Sequence, residues 1–117
     1  MKKWGYLIIA IAVLIALFFL LKPKFADMAY QKADELYDSS KFKAAVQKFD
    51  QAIWFNDEQS AYFIGRALAY DSLENSEQAI SDYSKALSLK EKQPNVYYFR
   101  GLTFLAIEKK KKCSFSF

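Results

Sequence analysis

Residues 60–93 read SAYFIGRALAYDSLENSEQAISDYSKALSLKEKQ. Two short amphipathic helical patterns are joined there by the polar break Glu74-Asn75-Ser76. The pattern recurs when the chain is laid over itself with Lys32 on Arg66 and Arg66 on Arg100. Ala33, Ala67 and Gly101 then align, as do Leu36, Tyr70 and Phe104, then Ala29, Phe63 and Tyr97. In the second half of the unit, Ala45, Phe49, Ala52, Ile53 and Phe55 align with Ala79, Tyr83, Ala86, Leu87 and Leu89. Small and large apolar positions kept at one fixed period signal a stack of repeated units, each covering the apolar face of the next.

The spacing predicts five helices, over 25–39, 42–55, 60–73, 76–89 and 94–107. Ser76, followed by Glu77, is expected to cap the fourth helix, because a short hydroxyl satisfies a free backbone N–H and acids favour the positive end of the helix dipole. Pro94 suits the first position of the fifth, where its missing N–H costs nothing.

Upstream, the 18 residues from Trp4 to Leu21 carry no charged side chain and lie between Lys2-Lys3 and Lys22-Pro23-Lys24. As a helix they rise about 27 Å, close to the thickness of a bilayer's hydrocarbon core. The run is longer than the h-region of a cleavable signal peptide, and no A-x-A site follows closely. The expectation is therefore an uncleaved signal anchor over residues 1–24, with Pro23 and its flanking lysines ending the helix at the head groups. Lysines on the two sides nearly balance. The Met1-Lys2-Lys3 start favours a cytoplasmic N-terminus, with the repeats outside, in the manner of a bacterial single-pass protein with a periplasmic domain. Ala12 and Ala16 have the spacing that lets two such helices pack closely.

Charge is unevenly distributed. Of 117 residues, 17 are Lys or Arg and 13 are Asp or Glu, for a net +4. Residues 1–24 and 109–112 each carry four lysines, so residues 25–108 hold nine basic against thirteen acidic side chains. An acidic body argues against nucleic acid as a partner. Histidine is absent, only three glycines are present, and Cys113 is the single cysteine. With no phosphate-binding glycine loop, no metal-ligand spacing and no histidine base, an enzyme, a metal site or a bound cofactor is not expected.

The 34-residue pattern resembles the tetratricopeptide repeat over residues 26–107. Counting Ser60 as position 1, the family's signature positions 4, 7, 8, 11, 20, 24, 27 and 32 fall on Phe63, Arg66, Ala67, Tyr70, Ala79, Tyr83, Ala86 and Glu91. The first unit gives Ala29, Lys32, Ala33, Leu36, Ala45, Phe49, Ala52 and Asp57, and the third gives Tyr97, Arg100, Gly101 and Phe104. Position 32, usually proline, is acidic here. The resemblance implies an α-solenoid of about two and a half repeats (26–59, 60–93 and a partial 94–108), which with the N-terminal transmembrane helix read above gives an all-α chain.

It also implies a concave groove lined by the first helix of each repeat. The groove residues it designates are Asp27, Tyr30, Asp34, Tyr37 and Asp38, then Ala61, Ile64, Leu68, Asp71 and Ser72, then Asn95, Tyr98, Leu102 and Leu105. Such a mixture suits a protein or peptide segment with apolar and basic groups. The clamp that holds chaperone C-termini needs Lys and Asn where this chain has Tyr30 and Asp34, so that ligand is not expected. Arg66 and Arg100 are read as packing and salt-bridge residues.

Residues 109–117 lose the pattern. The fifth helix is apolar on more than one face, unlike the polar outer face of a terminal solenoid helix. Two explanations fit: a partner or second copy meets that face, or the chain is truncated or out of frame at the lysine run. The lysines could alternatively attract anionic lipid. The expected function is a membrane-anchored interaction scaffold; the alternative is a self-associating structural protein built on the fifth helix and the anchor.

Overall fold

The computed structural model describes residues 2–115. Five α-helices are present among them: α1 Lys2–Asp38, α2 Phe42–Phe55, α3 Ser60–Ser72, α4 Ser76–Leu89 and α5 Pro94–Phe115. Each packs on its neighbour in chain order. Ring contacts at both ends of the first pair, Phe25 on Phe55 (centroids 5.6 Å apart) and Tyr37 on Phe42 (5.3 Å), show that α1 and α2 run antiparallel.

The period decides the core. Ala33 and Ala67, Ala45 and Ala79, Phe49 and Tyr83, and Ala52 and Ala86 are four pairs one repeat apart, and all eight side chains are fully buried. Alanines let the helix axes approach, and the aromatic ring fills the remaining space. Gly65 shows how close that approach is, because a Cβ there would overlap the Phe49 ring. In the third unit the position of Ala33 and Ala67 is held by Gly101, where an added Cβ would meet open space. Tyr97 and Phe104, on the same side of α5, are about half exposed. The face of α5 that would meet a second helix of its own repeat is uncovered.

The turns repeat as faithfully as the helices. Ser40 and Glu74, one repeat apart, both adopt a left-handed backbone, with φ of 61° and 62°. Ser40 N donates to the Tyr37 carbonyl and Lys41 N to that of Leu36; Glu74 N donates to the Asp71 carbonyl and Asn75 N to that of Tyr70. This is the Schellman arrangement, which satisfies the last carbonyls of a helix while reversing the chain.

Three expectations need correction. First, Pro23 does not end the first helix. α1 continues through it to Asp38, since a proline removes one i→i−4 bond and can be carried as a kink when both flanks are held helical. Residues beyond it are held by packing: Ala26, Ala29 and Ala33 are buried. Second, α5 runs through the lysines to Phe115 rather than stopping near Ile107. Lysine is a good helix former, and cations suit a helix C-terminus. Lys110 also lies 3.6 Å from Glu74, at the α3–α4 turn. That turn is at the opposite end of the stack from the apolar half of α1, so the lysines are remote from any bilayer that half would enter. Of the tail assigned to 109–117, residues 116–117 lie outside the described residues. Third, Ser76 is already helical. The cap residue is Asn75, and its side chain makes no capping bond.

Among the described residues, the N-terminal half of α1 packs on no other helix. Its apolar residues from Trp4 to Leu21 are all exposed, and the helix is long and apolar enough to cross a membrane. It extends the molecule to 77 Å, against 29 and 23 Å in the other directions.

Candidate functional site

The C-terminal half of α1, with α3 and α5, supplies the first helix of each repeat. On α1, Asp27, Tyr30, Asp34, Tyr37 and Asp38 recur at helical spacing and so share one side. The Tyr30 ring lies 5.0 Å from that of Tyr62 and 5.9 Å from that of Phe49. Tyr62, which is buried, donates its hydroxyl to Asp27 Oδ1 at 2.6 Å. Burial, then that hydrogen bond, pushes the Tyr62 phenol well above its ordinary pKa. Tyr30 shifts the same way, through burial and then the neighbouring Asp34 carboxylate. Asp34, although exposed, is raised by partial desolvation and by repulsion from Asp38, against the opposing pull of the nearby Tyr30 hydroxyl.

On α3, Ile64 and Leu68 are half-buried against the core. Asp71 is an acceptor shared by two other helices: Tyr83 of α4 donates to Oδ2 at 2.7 Å, and Thr103 of α5 donates to the same carboxylate at 3.0 Å. Ala61 and Ser72 are more open than these, and Ser72 Oγ donates to the Leu68 carbonyl. On α5, Asn95, Tyr98, Leu102 and Leu105 are exposed.

The expected groove residues thus divide by environment. Asp27, Asp34, Asp38, Asn95, Tyr98 and Leu102 are exposed, whereas Tyr30, Tyr37, Ile64, Leu68 and Asp71 are half-buried. The structure brings Asp27 and Tyr30 together around Tyr62, whereas the Tyr37 ring packs on Phe42 of α2. It ties Asp71 into the packing between helices. Tyr98 has its ring neighbour on its own helix, Phe99 at 6.1 Å.

Arg66 behaves as its spacing suggested. Its Nε and Nη2 hold both oxygens of the buried Asp82 at 2.8 and 2.7 Å, and Nη1 reaches Asp50 at 2.8 Å. The two-pronged hydrogen bond to Asp82 outweighs burial and holds the guanidinium above its ordinary pKa. Arg100 repeats one of these contacts, because its Nη1 donates to Ser84, the counterpart of Asp50, at 3.1 Å.

Sequence reasoning missed Tyr62, Asp82 and Thr103. Tyr83 and Thr103 were visible as the polar counterparts of Phe49 and Ala69 when one unit is laid over the next. Asp82 carries no comparable signal, since its partner Arg66 lies on another helix. Among the described residues, no three of His, Cys, Asp and Glu come together as a metal-ligand set. What the exposed surface offers is negative charge beside aromatic and aliphatic side chains.

No family model matches the chain. It is 30% identical over 91 residues to human serine/threonine-protein phosphatase 5, a match that takes in 72% of this chain and spans only 18% of that protein's length. Among solved structures, the Arabidopsis OM64 TPR domain superposes with a TM-score of 0.73 at 24% identity, over 77% of this chain and 74% of that one. The first TPR of Spaghetti (RPAP3), solved with the HSP90 peptide SRMEEVD, superposes with a TM-score of 0.69 at 19% identity, over 71% of this chain and 66% of that one. With a strict period, buried alanines in register and these superpositions, the helical body of this chain is a tetratricopeptide-repeat solenoid.

Proposed function

We propose that the chain is a membrane-anchored interaction module whose solenoid receives a basic, apolar-bearing segment of a partner protein along Asp27, Tyr30, Asp34, Tyr37, Asp38, Ile64, Leu68, Asp71, Asn95, Tyr98 and Leu102. The observation that carries this reading is the α1 surface. Asp27, Asp34 and Asp38 stand exposed around the half-buried Tyr30 ring; partial desolvation and then repulsion from Asp38 raise Asp34, and an arriving cation relieves the second of these. The peptide bound by the Spaghetti domain is itself acidic over its Glu-Glu-Val-Asp end. The carboxylates here would repel such a ligand, so the proposed partner has the opposite charge. Residues 4–21 of α1 are the proposed anchor, which raises the solenoid's local concentration near membrane partners; the extracytoplasmic side is the orientation proposed.

The test is capture from detergent-solubilised membranes by the full chain and by an Asp34→Lys, Asp38→Lys variant, followed by titration of each captured protein's basic segments as synthetic peptides. Binding that is salt-sensitive and lost in the variant is expected. An unchanged captured set and salt-independent peptide affinity would reject the reading.

A second reading has its own observation. Tyr97, Tyr98, Leu102, Phe104 and Leu105 leave α5 with an exposed apolar surface, and patches of this kind mark association sites. Light scattering in detergent decides between them. A concentration-independent oligomer that Tyr98→Ala with Leu102→Ala disperses would favour self-association.

A further inference from the structure

We propose that the α2 terminus is a second membrane contact: Trp54, with Phe55 and Phe25, sits in the head-group layer and fixes the tilt of the solenoid on the bilayer. The inference rests on the anchor reading above and adds a surface to it.

The geometry follows from the continuity of α1. Phe25 is four residues beyond Leu21 on the same helix, about 6 Å further along the axis. The head-group region on each side of a bilayer is roughly 5–8 Å deep. Phe25 therefore lies within that layer when residues 4–21 span the hydrocarbon. The Phe55 ring packs on Phe25 with centroids 5.6 Å apart, and Trp54 packs on Phe55 at 5.0 Å. The antiparallel return of α2 thus delivers two more rings to the height of Phe25. Trp54 is 69% exposed and Phe25 40%. Large rings left in water at this level are costly, and the membrane interface is where amphipathic rings partition favourably. Lys22 and Lys24 flank the cluster on α1, and Asp57 and Glu58 follow it in the α2–α3 loop. Those charges hold the rings at the interface and keep them from sinking into the hydrocarbon.

The full chain is reconstituted in phosphatidylcholine vesicles as two single-tryptophan variants, Trp4→Phe and Trp54→Phe, with helicity checked by circular dichroism. Some vesicles carry bromine high on the acyl chains, others near the chain ends. In Trp4→Phe, the remaining Trp54 is expected to emit to the blue of the urea-unfolded chain and to be quenched by the shallow bromines more than by the deep ones. In Trp54→Phe, Trp4 reports insertion of the anchor. If neither tryptophan is quenched, the anchor reading fails and this inference with it. If Trp4 is quenched but Trp54 keeps water-exposed emission, the anchor stands and the second contact is overturned. A blue-shifted Trp54 that no brominated lipid quenches would place protein, not lipid, against it, and would also overturn the proposal.

Discussion

Tyr83 donates its hydroxyl to Asp71 at 2.7 Å, and the pair that occupies the same two positions one repeat earlier is Phe49 and Tyr37. The third member follows suit, because Thr103, which also donates to Asp71, replaces Ala69. One interface between repeats holds no carboxylate at these positions. The next, in the same geometry, is a carboxylate serving two hydroxyls. Asp71→Ala leaves the Tyr83 hydroxyl without its acceptor, while Thr103 retains the Phe99 carbonyl at 3.0 Å, and is expected to cost about 1–3 kcal/mol. Copying the earlier interface with Asp71→Tyr, Tyr83→Phe and Thr103→Ala together should recover most of that loss. Denaturant unfolding of the parent chain and both variants in detergent checks this, and a triple variant no more stable than Asp71→Ala would contradict the exchange.

Arg66 is the cation that neutralises the buried Asp82 carboxylate, and it also holds Asp50. Removing it leaves a buried charge without compensation, so Arg66→Met is expected to destabilise by about 3–5 kcal/mol. Arg66→Lys should rescue little, because a single ammonium cannot reproduce the two-pronged contact. Arg66→Met with Asp82→Asn should be less damaged than Arg66→Met alone. Thermal unfolding of the series reads the ranking.

Ser40 and Glu74 hold left-handed backbones that favour glycine. For a residue with a Cβ this conformation costs roughly 1–2 kcal/mol, against roughly 0.5–1 kcal/mol that glycine loses by its freedom in the unfolded chain. Ser40→Gly and Glu74→Gly are each expected to stabilise, by up to about 1 kcal/mol. Glu74→Gly gives up its ion pair with Lys110, but both side chains are largely exposed and such pairs contribute little. An increase in melting temperature for each variant is the readout.

The phenols of Tyr62 and Tyr83 are both held above their ordinary pKa of 10.0. The folded chain therefore keeps protons that the unfolded chain releases once pH passes about 10. Their contribution is complete below that value and is lost as pH rises beyond it. Melting temperature should fall through the alkaline range, and Tyr62→Phe with Tyr83→Phe should flatten the fall. An unchanged slope in the double variant would show that other groups set the alkaline limit.

The scaffold was legible because its determinants are periodic. Ala33 and Ala67, or Phe49 and Tyr83, must be small or large in every unit, so laying one unit over the next exposes them. The interruption at Pro23 was misread because a proline's local cost is visible in sequence, whereas the packing of Ala26, Ala29 and Ala33 that keeps α1 intact is not. The lysine run failed for a similar reason: loss of the apolar pattern ended the repeat, but lysine's own preference kept the helix. At the candidate site, helical spacing placed the α1 acids on one side. Asp71 looked equivalent to them, and only the two hydroxyls arriving from other helices set it apart.

The unbroken α1 has a mechanical consequence. If residues 4–21 are anchored as proposed, a flexible tether would let the solenoid sample a hemisphere above the membrane. A single helix running from the apolar segment to Asp38 instead makes the two parts one lever. The acids of the first repeat then lie at set distances along the helix, from about 9 Å beyond Leu21 for Asp27 to about 26 Å for Asp38. With the proposed anchor inserted, partner search would reduce to diffusion and rotation in the plane of the membrane. On that proposal a segment presented outside this band of distances would go unmet whatever its charge.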